Sequence, residues 1–159
     1  MVQIWEMDPY IHGDRRLPHH CFPPRRLVPD ELHRMTGVQV FKLNTKDLVS
    51  MSTRIATLKI ERSYTREDIL ILDGLTTANF VDKLEELYTE LTPPEELARF
   101  VLEGESYYDI KREEGKWLRL FVETGDLLII PSNCIHRFTT TPKNYVKIKR
   151  FYKDNEKKV

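Results

Sequence analysis

From Arg99 onward the chain is cut, about every 8–12 residues, into short segments rich in β-branched and aromatic side chains. They cover residues 99–102, 107–111, 117–122, 127–130, 136–140 and 145–152. Strands this short and this numerous satisfy their backbones only by antiparallel pairing in a sandwich or a barrel. Glu113-Glu114-Gly115-Lys116 reads as a hairpin loop with Gly115 in the left-handed position. In residues 117–122 alternation leaves two candidate core faces, Trp117 with Phe121 or Leu118 with Leu120 and Val122.

The first half has a different period. Pro29 can open a helix and Gly37 can close it. Residues 38–43 alternate like a strand. Residues 45–61 carry Leu48, Met51, Ile55 and Leu58 at helical spacing, and Phe80, Leu84, Leu87 and Tyr88 form a second stripe that Thr76 or Thr77 could cap. Both stripes are read as core packing. Between Pro18 and Pro29 the prolines force an irregular, extended strap. The plan is α+β, mainly β, with N-terminal helices and an antiparallel β-barrel. It fits one domain over residues 1–159, with strap, helices and first strands in 1–93 and barrel strands in 94–153.

Composition narrows the function. Lys plus Arg and Asp plus Glu number 25 each, so no basic surface points to nucleic acid or an anionic membrane. No apolar run approaches the roughly 20 residues that span a bilayer. The N-terminus lacks the blocks of a signal peptide. Cys21 and Cys134 read as free thiols of a reducing compartment. These features place the protein in the cytoplasm, with the nucleus open to it.

The most specific stretch runs from Gly125 to His136, GDLLIIPSNCIH. Gly125 opens a tight turn, an apolar strand follows, and Pro131 ends it where no ladder donor is needed. Asn133, which tolerates positive φ, then aims His136 inward. On its own His136 is either a metal ligand or a satisfied interior histidine. The spacing matches the second cupin motif, and a cupin-type barrel is the fold it implies. The wider chain resembles the acireductone dioxygenases, through MVQIWEMD, PDELHRMTGVQVFKL, RFVLEGESYYDI, KWLRLFVETGDLLIIPSNCIHRFT and KNYVKIKRFY. That family uses iron or nickel to oxidise the acireductone intermediate of methionine salvage with dioxygen.

The resemblance implies a first motif, His-x-His-x-x-x-Glu, with a glycine seven residues after the glutamate. Counted back from Gly104, the glutamate slot falls on Leu97 and the histidine slots on Leu91 and Pro93. A register with one extra residue in the strand puts Glu96 in the carboxylate slot and Glu90 and Thr92 in the histidine slots. Strict alternation of strand faces favours the first. Either way both histidines are gone, while His136 matches the fourth ligand. His12, His19, His20 and His33 lie far upstream and read as solvated.

The expectation is a catalytically inactive relative with no metal cofactor and no catalytic residues. The resemblance makes Arg99 and Phe138 remnants of a pocket, Arg99 matching a position thought to steer the anionic substrate. Arg99 has either a buried acidic partner or a share, with His136 and Phe138, in a remnant anion pocket. Two alternatives stand beside inactivity: an active enzyme with a site of Glu90, Glu96 and His136, and a barrel used to bind another protein. Family members continue beyond the last barrel strand. The early stop after Lys153-Asp154-Asn155-Glu156 is expected to open the barrel mouth or uncover an apolar patch for such a partner.

Overall fold

In the computed structural model, residues 2–113 and 115–153 are described; the tail from Asp154 and the loop residue Glu114, both named above, lie outside them. Three helices and nine strands follow one another among the described residues as β1 (Gln3–Glu6), β2 (Arg26–Leu27), α1 (Pro29–Thr36), β3 (Gln39–Lys42), α2 (Leu48–Glu61), β4 (Tyr64–Asp73), α3 (Phe80–Leu87), β5 (Leu97–Glu113), β6 (Lys116–Glu123), β7 (Asp126–Ile130), β8 (His136–Thr140) and β9 (Tyr145–Lys153). All strand pairs are antiparallel. No described helix is long and apolar enough to cross a membrane.

The two segments read as 99–102 and 107–111 are one strand of 17 residues, and this shapes the molecule. The first half of β5 pairs with β7 and β9, and the second half with β6 and β8. One strand thus belongs to both walls and curls the sheet between them. The bend lies where the pairing slips between Val101 and Glu103, beside Gly104 at φ +81°. A Cβ at Gly104 would collide with the Tyr145 carbonyl oxygen, so only glycine fits. Inward residues form the larger core cluster, including Leu97, Val101, Tyr108, Ile110, Leu118, Leu120, Val122, Ile130, Phe138 and Ile148. The core face of β6 is therefore Leu118, Leu120 and Val122; Trp117 and Phe121 sit half-buried on the other side. A second cluster, Ala98, Phe100, Leu127, Ile129, Tyr64 and Phe151, lies on the opposite sheet face and receives Met51, Ile55 and Leu58 of α2.

Several sequence expectations need correction. Leu48 is exposed, because α2 begins only there, with Asp47 accepting from the Ser50 N–H at 3.1 Å. Asn79, in the left-handed conformation, holds the N-cap position of α3 without a side-chain cap hydrogen bond; Thr77 instead accepts from the Asp73 N–H at 2.9 Å. The strap is less irregular than its prolines suggest, since Arg26–Leu27 adds a short strand to β1. His19 and His20 are half-buried, and His20 stacks on Trp5 with ring centroids 4.3 Å apart. Strands β1 and β4 had no counterpart in the sequence reading. β4 lies on the outer side of β9 and keeps most side chains exposed, Ile69 and Ile71 among them, so it shows no clean in-and-out alternation.

Candidate functional site

His136 is the first residue of β8, and the preceding turn aims it. Asn133 has φ +63° and Gly125 φ +93°, the left-handed geometry that the motif demands. The Asn133 N–H donates to the Pro93 carbonyl at 2.7 Å, which ties the turn to the facing segment. His136 is 4% exposed and its Nδ1 lies 3.1 Å from the Cys134 carbonyl oxygen. Burial holds its pKa below the ordinary value, and the Arg99 charge adds to that. A neutral ring donating from Nδ1 leaves the Nε2 lone pair free, the arrangement in which a histidine ligates.

The segment opposite carries no donor to match it. Leu91 and His136 exchange both backbone hydrogen bonds, at 2.9 and 3.0 Å, so their side chains share one face. Leu91, Pro93 and Leu97 line the same cavity of about 610 Å³ as His136. Pro93 and Leu97 are buried, but Leu91 is 51% exposed and stands at the mouth, not in the interior where the sequence put it. Its bridge to His136 holds it one step outside β5.

Glu96 lines the cavity but is turned to other partners. Its carboxylate accepts from Arg62 at 2.8 Å and from the Tyr64 hydroxyl at 2.6 Å. Tyr64, Ala98 and Phe100 belong to the second cluster, and alternation along β5 puts Glu96 on that side, away from Leu97. Glu90 accepts from Lys111 at 3.2 Å. Among the described residues no three His, Cys, Asp or Glu side chains gather in a way that could hold a metal ion. One imidazole among leucines and a proline does not fit iron or nickel poised for oxygen chemistry.

The remaining wall is cationic and aromatic. Arg99 is 7% exposed; its Nη1 donates to the Ala98 carbonyl at 3.0 Å and its guanidinium stands 5.1 Å from the centre of the Tyr152 ring. It makes no ion pair with any described residue, so the buried acidic partner weighed from the sequence does not appear among them. Phe138 is buried with its ring edge-on to Tyr108, centroids 5.0 Å apart. Burial pushes the Tyr108 hydroxyl up to about 12, against the nearby Arg99 charge. The cavity brings His136, Arg99 and Phe138 together, as one of the two sequence readings of Arg99 had it, and adds Tyr108, Tyr152, Arg150 and Arg66, which sequence reasoning missed, on its wall. Arg66 could not have been found without β4.

Comparison with known proteins agrees with this architecture. The model of the ARD/ARD' family matches residues 3–159. A Caenorhabditis elegans protein named probable inactive acireductone dioxygenase 2 is 54% identical over 156 residues, 98% of this chain and 99% of its own. The acireductone dioxygenase of Drosophila melanogaster is 38% identical over 152 residues, 96% of this chain and 81% of its own. Among solved structures, the acireductone dioxygenase from Bacillus anthracis, with a cadmium ion in its active centre, superposes with a TM-score of 0.75. It is 21% identical and the match covers 98% of this chain and 95% of that one, which shows the cupin-type fold. On the family match and these identities, the chain belongs to the acireductone dioxygenase (ARD/ARD') family.

Proposed function

We propose that this protein is a non-catalytic acireductone dioxygenase homologue of the cytoplasm or nucleus, which keeps the barrel and neither holds iron or nickel nor oxidises acireductone. The observation that carries the reading is the donor set. Where His136 needs two imidazoles and a carboxylate beside it, the chain presents Leu91, Pro93 and Leu97. None of these side chains has a lone pair to give a metal. Two Caenorhabditis relatives named probable inactive acireductone dioxygenases, 54% and 43% identical, support it. A site of Glu90, Glu96 and His136 has less support, since both carboxylates are held by cations of their own. The test is elemental analysis after gel filtration, with oxygen uptake on acireductone in the presence of added iron. We expect neither stoichiometric metal nor uptake. Iron or nickel retained at one per chain, or uptake abolished by His136→Ala, would overturn the proposal.

A further inference from the structure

Strand β4 pairs with β9 alone, and its other edge is open. The Gly74 N–H donates across that pair to the Asn144 carbonyl, whereas the Asp73 N–H and carbonyl turn the other way, to Thr76 and Thr77. Ladder groups alternate along an antiparallel strand. Ile71, Ile69 and Glu67 therefore also turn their N–H and carbonyl groups outward, where no strand meets them among the described residues. Residues 65–69 are exposed without a break, and Ile69 and Ile71 are 50% and 51% exposed on the face opposite Leu70 and Leu72. This edge is 10 residues long, and residues 69–72 carry no proline, bulge or charge of the kind that keeps free edges apart.

The edge is complementary to itself. Ile69-Leu70-Ile71 reads the same in both directions. A two-fold axis at Leu70 sets Ile69 of one copy opposite Ile71 of a second, with their outward backbone groups face to face. The same register sets Glu67 opposite Asp73. Glu67 is held by Lys59 at 2.7 Å and by Lys149 at 2.9 Å, a group with one positive charge to spare. Asp73 accepts from the Leu75 N–H and has no ion pair among the described residues. Each end of the seam thus joins a net cation to a carboxylate without one. Asp68 lies on the other face and is bound by Arg150. Antiparallel pairing also brings the start of one strand to the end of the other, where Ile60 and Leu75 are 81% and 96% exposed.

We propose that two copies of this chain associate through β4, paired antiparallel about a two-fold axis at Leu70. Ile69 and Ile71 exchange backbone hydrogen bonds with their counterparts, their side chains pack in one row, and Lys59 and Lys149 face Asp73 of the second copy. A seam of one strand from each side is small, which makes the dimer weak and reversible. The seam lies on the outer wall, so it stands or falls independently of whether the cavity holds a metal.

The experiment is sedimentation velocity of the full chain from about 5 to 300 μM, a range that brackets a small interface. The mass should rise reversibly from 18.9 kDa toward twice that value. Ile69→Lys, at an exposed position, should weaken association by about tenfold or more. Ile71→Pro should do the same, because the N–H that it removes points outward and serves no bond to β9. Should Ile71→Pro not fold, as judged by circular dichroism, Ile69→Lys carries the test. Asp73→Asn keeps the turn acceptor and should weaken association about threefold while flattening its salt dependence. Leu70→Cys tests the register. Directly opposed residues of the non-hydrogen-bonded kind stand about 4.5 Å apart at Cα, within disulfide reach. With Cys21 and Cys134 replaced by Ser, mild oxidation of Leu70→Cys should therefore give a covalent dimer. A monomer over the whole range, or a dimer that the folded Ile69→Lys and Ile71→Pro variants leave intact, would overturn the proposal. So would a dimer that Leu70→Cys does not cross-link, because the register would then be wrong.

Discussion

Strand β5 carries two buried charge clusters, and they are built differently. In its second half Asp109, 1% exposed, receives the Arg119 fork at 2.7 and 2.9 Å and Arg137 at 3.0 Å. Arg119 also donates to the carbonyls of Arg15 and Leu17, which fastens the strap to the sheet. Arg137 lies between Trp117 and Tyr88, at 3.9 and 4.4 Å from their centres. In this cluster both guanidinium groups share the Asp109 carboxylate, although Arg137 reaches the cavity wall and its Nη2 has no hydrogen-bond partner among the described residues. In the first half of β5, Arg99 faces Arg150 and shares a cavity with the solvent. The first cluster has an internal carboxylate and fastens the strap; Arg99 in the second has no ion-pair partner among the described residues.

That contrast can be broken by mutation. The largest effect is expected for Asp109→Ala, which leaves two buried guanidinium groups unpaired and should cost about 3–5 kcal/mol in urea unfolding. A cost under about 1 kcal/mol would mean that the Asp109 cluster is no more structural than the Arg99 one.

Apolar packing sets the scale for comparison. Leu120→Ala, at a fully buried inward position, should cost about 2–5 kcal/mol, more than Phe121→Ala on the half-buried outer face. The reverse order would show that the strap side of β6 is the tighter core, and would move Asp109 into it.

His136 lies between the two clusters in kind. Gln in its place should cost about 1–2 kcal/mol near neutral pH through one altered interior hydrogen bond. Burial lowers its folded pKa. The stability from the neutral ring is therefore complete above the unfolded value near 6.5 and is lost as pH falls through the lower folded value. The gap between wild type and His136→Gln should narrow from pH 7.5 to pH 5, and melts across that range will show it. If EDTA lowers the wild-type melting temperature and leaves the variant unchanged, His136 holds a metal after all.

The smallest effect is expected at Arg99. Arg99→Met removes an unpaired buried cation and keeps its volume, so stability should change by less than about 1 kcal/mol, in the stabilising direction if at all. A loss as large as that of Asp109→Ala would give Arg99 a structural role equal to that of Arg119.

The sequence by itself determined the class of fold, the turn that aims His136, and the chemistry of the residues facing it. These are local properties. Pro131 fixes its own φ angle wherever it stands, Gly125 and Asn133 tolerate positive φ, alternation sorts the side chains of a strand into two faces, and a leucine side chain cannot ligate in any fold. The tertiary structure alone decided the rest. That β5 is one bent strand depends on Gly104 meeting the Tyr145 carbonyl, more than forty residues away. That the Glu96 carboxylate, at the cavity wall, is held by other partners depends on Arg62 and Tyr64 at the end of α2 and the start of β4. That Arg66, Arg99 and Arg150 meet at Tyr152 depends on the register of β4 and β5 against β9. Strand pairing joins segments through backbone hydrogen bonds that carry no side-chain signature, so residues far apart in the chain become neighbours only once the sheet has formed.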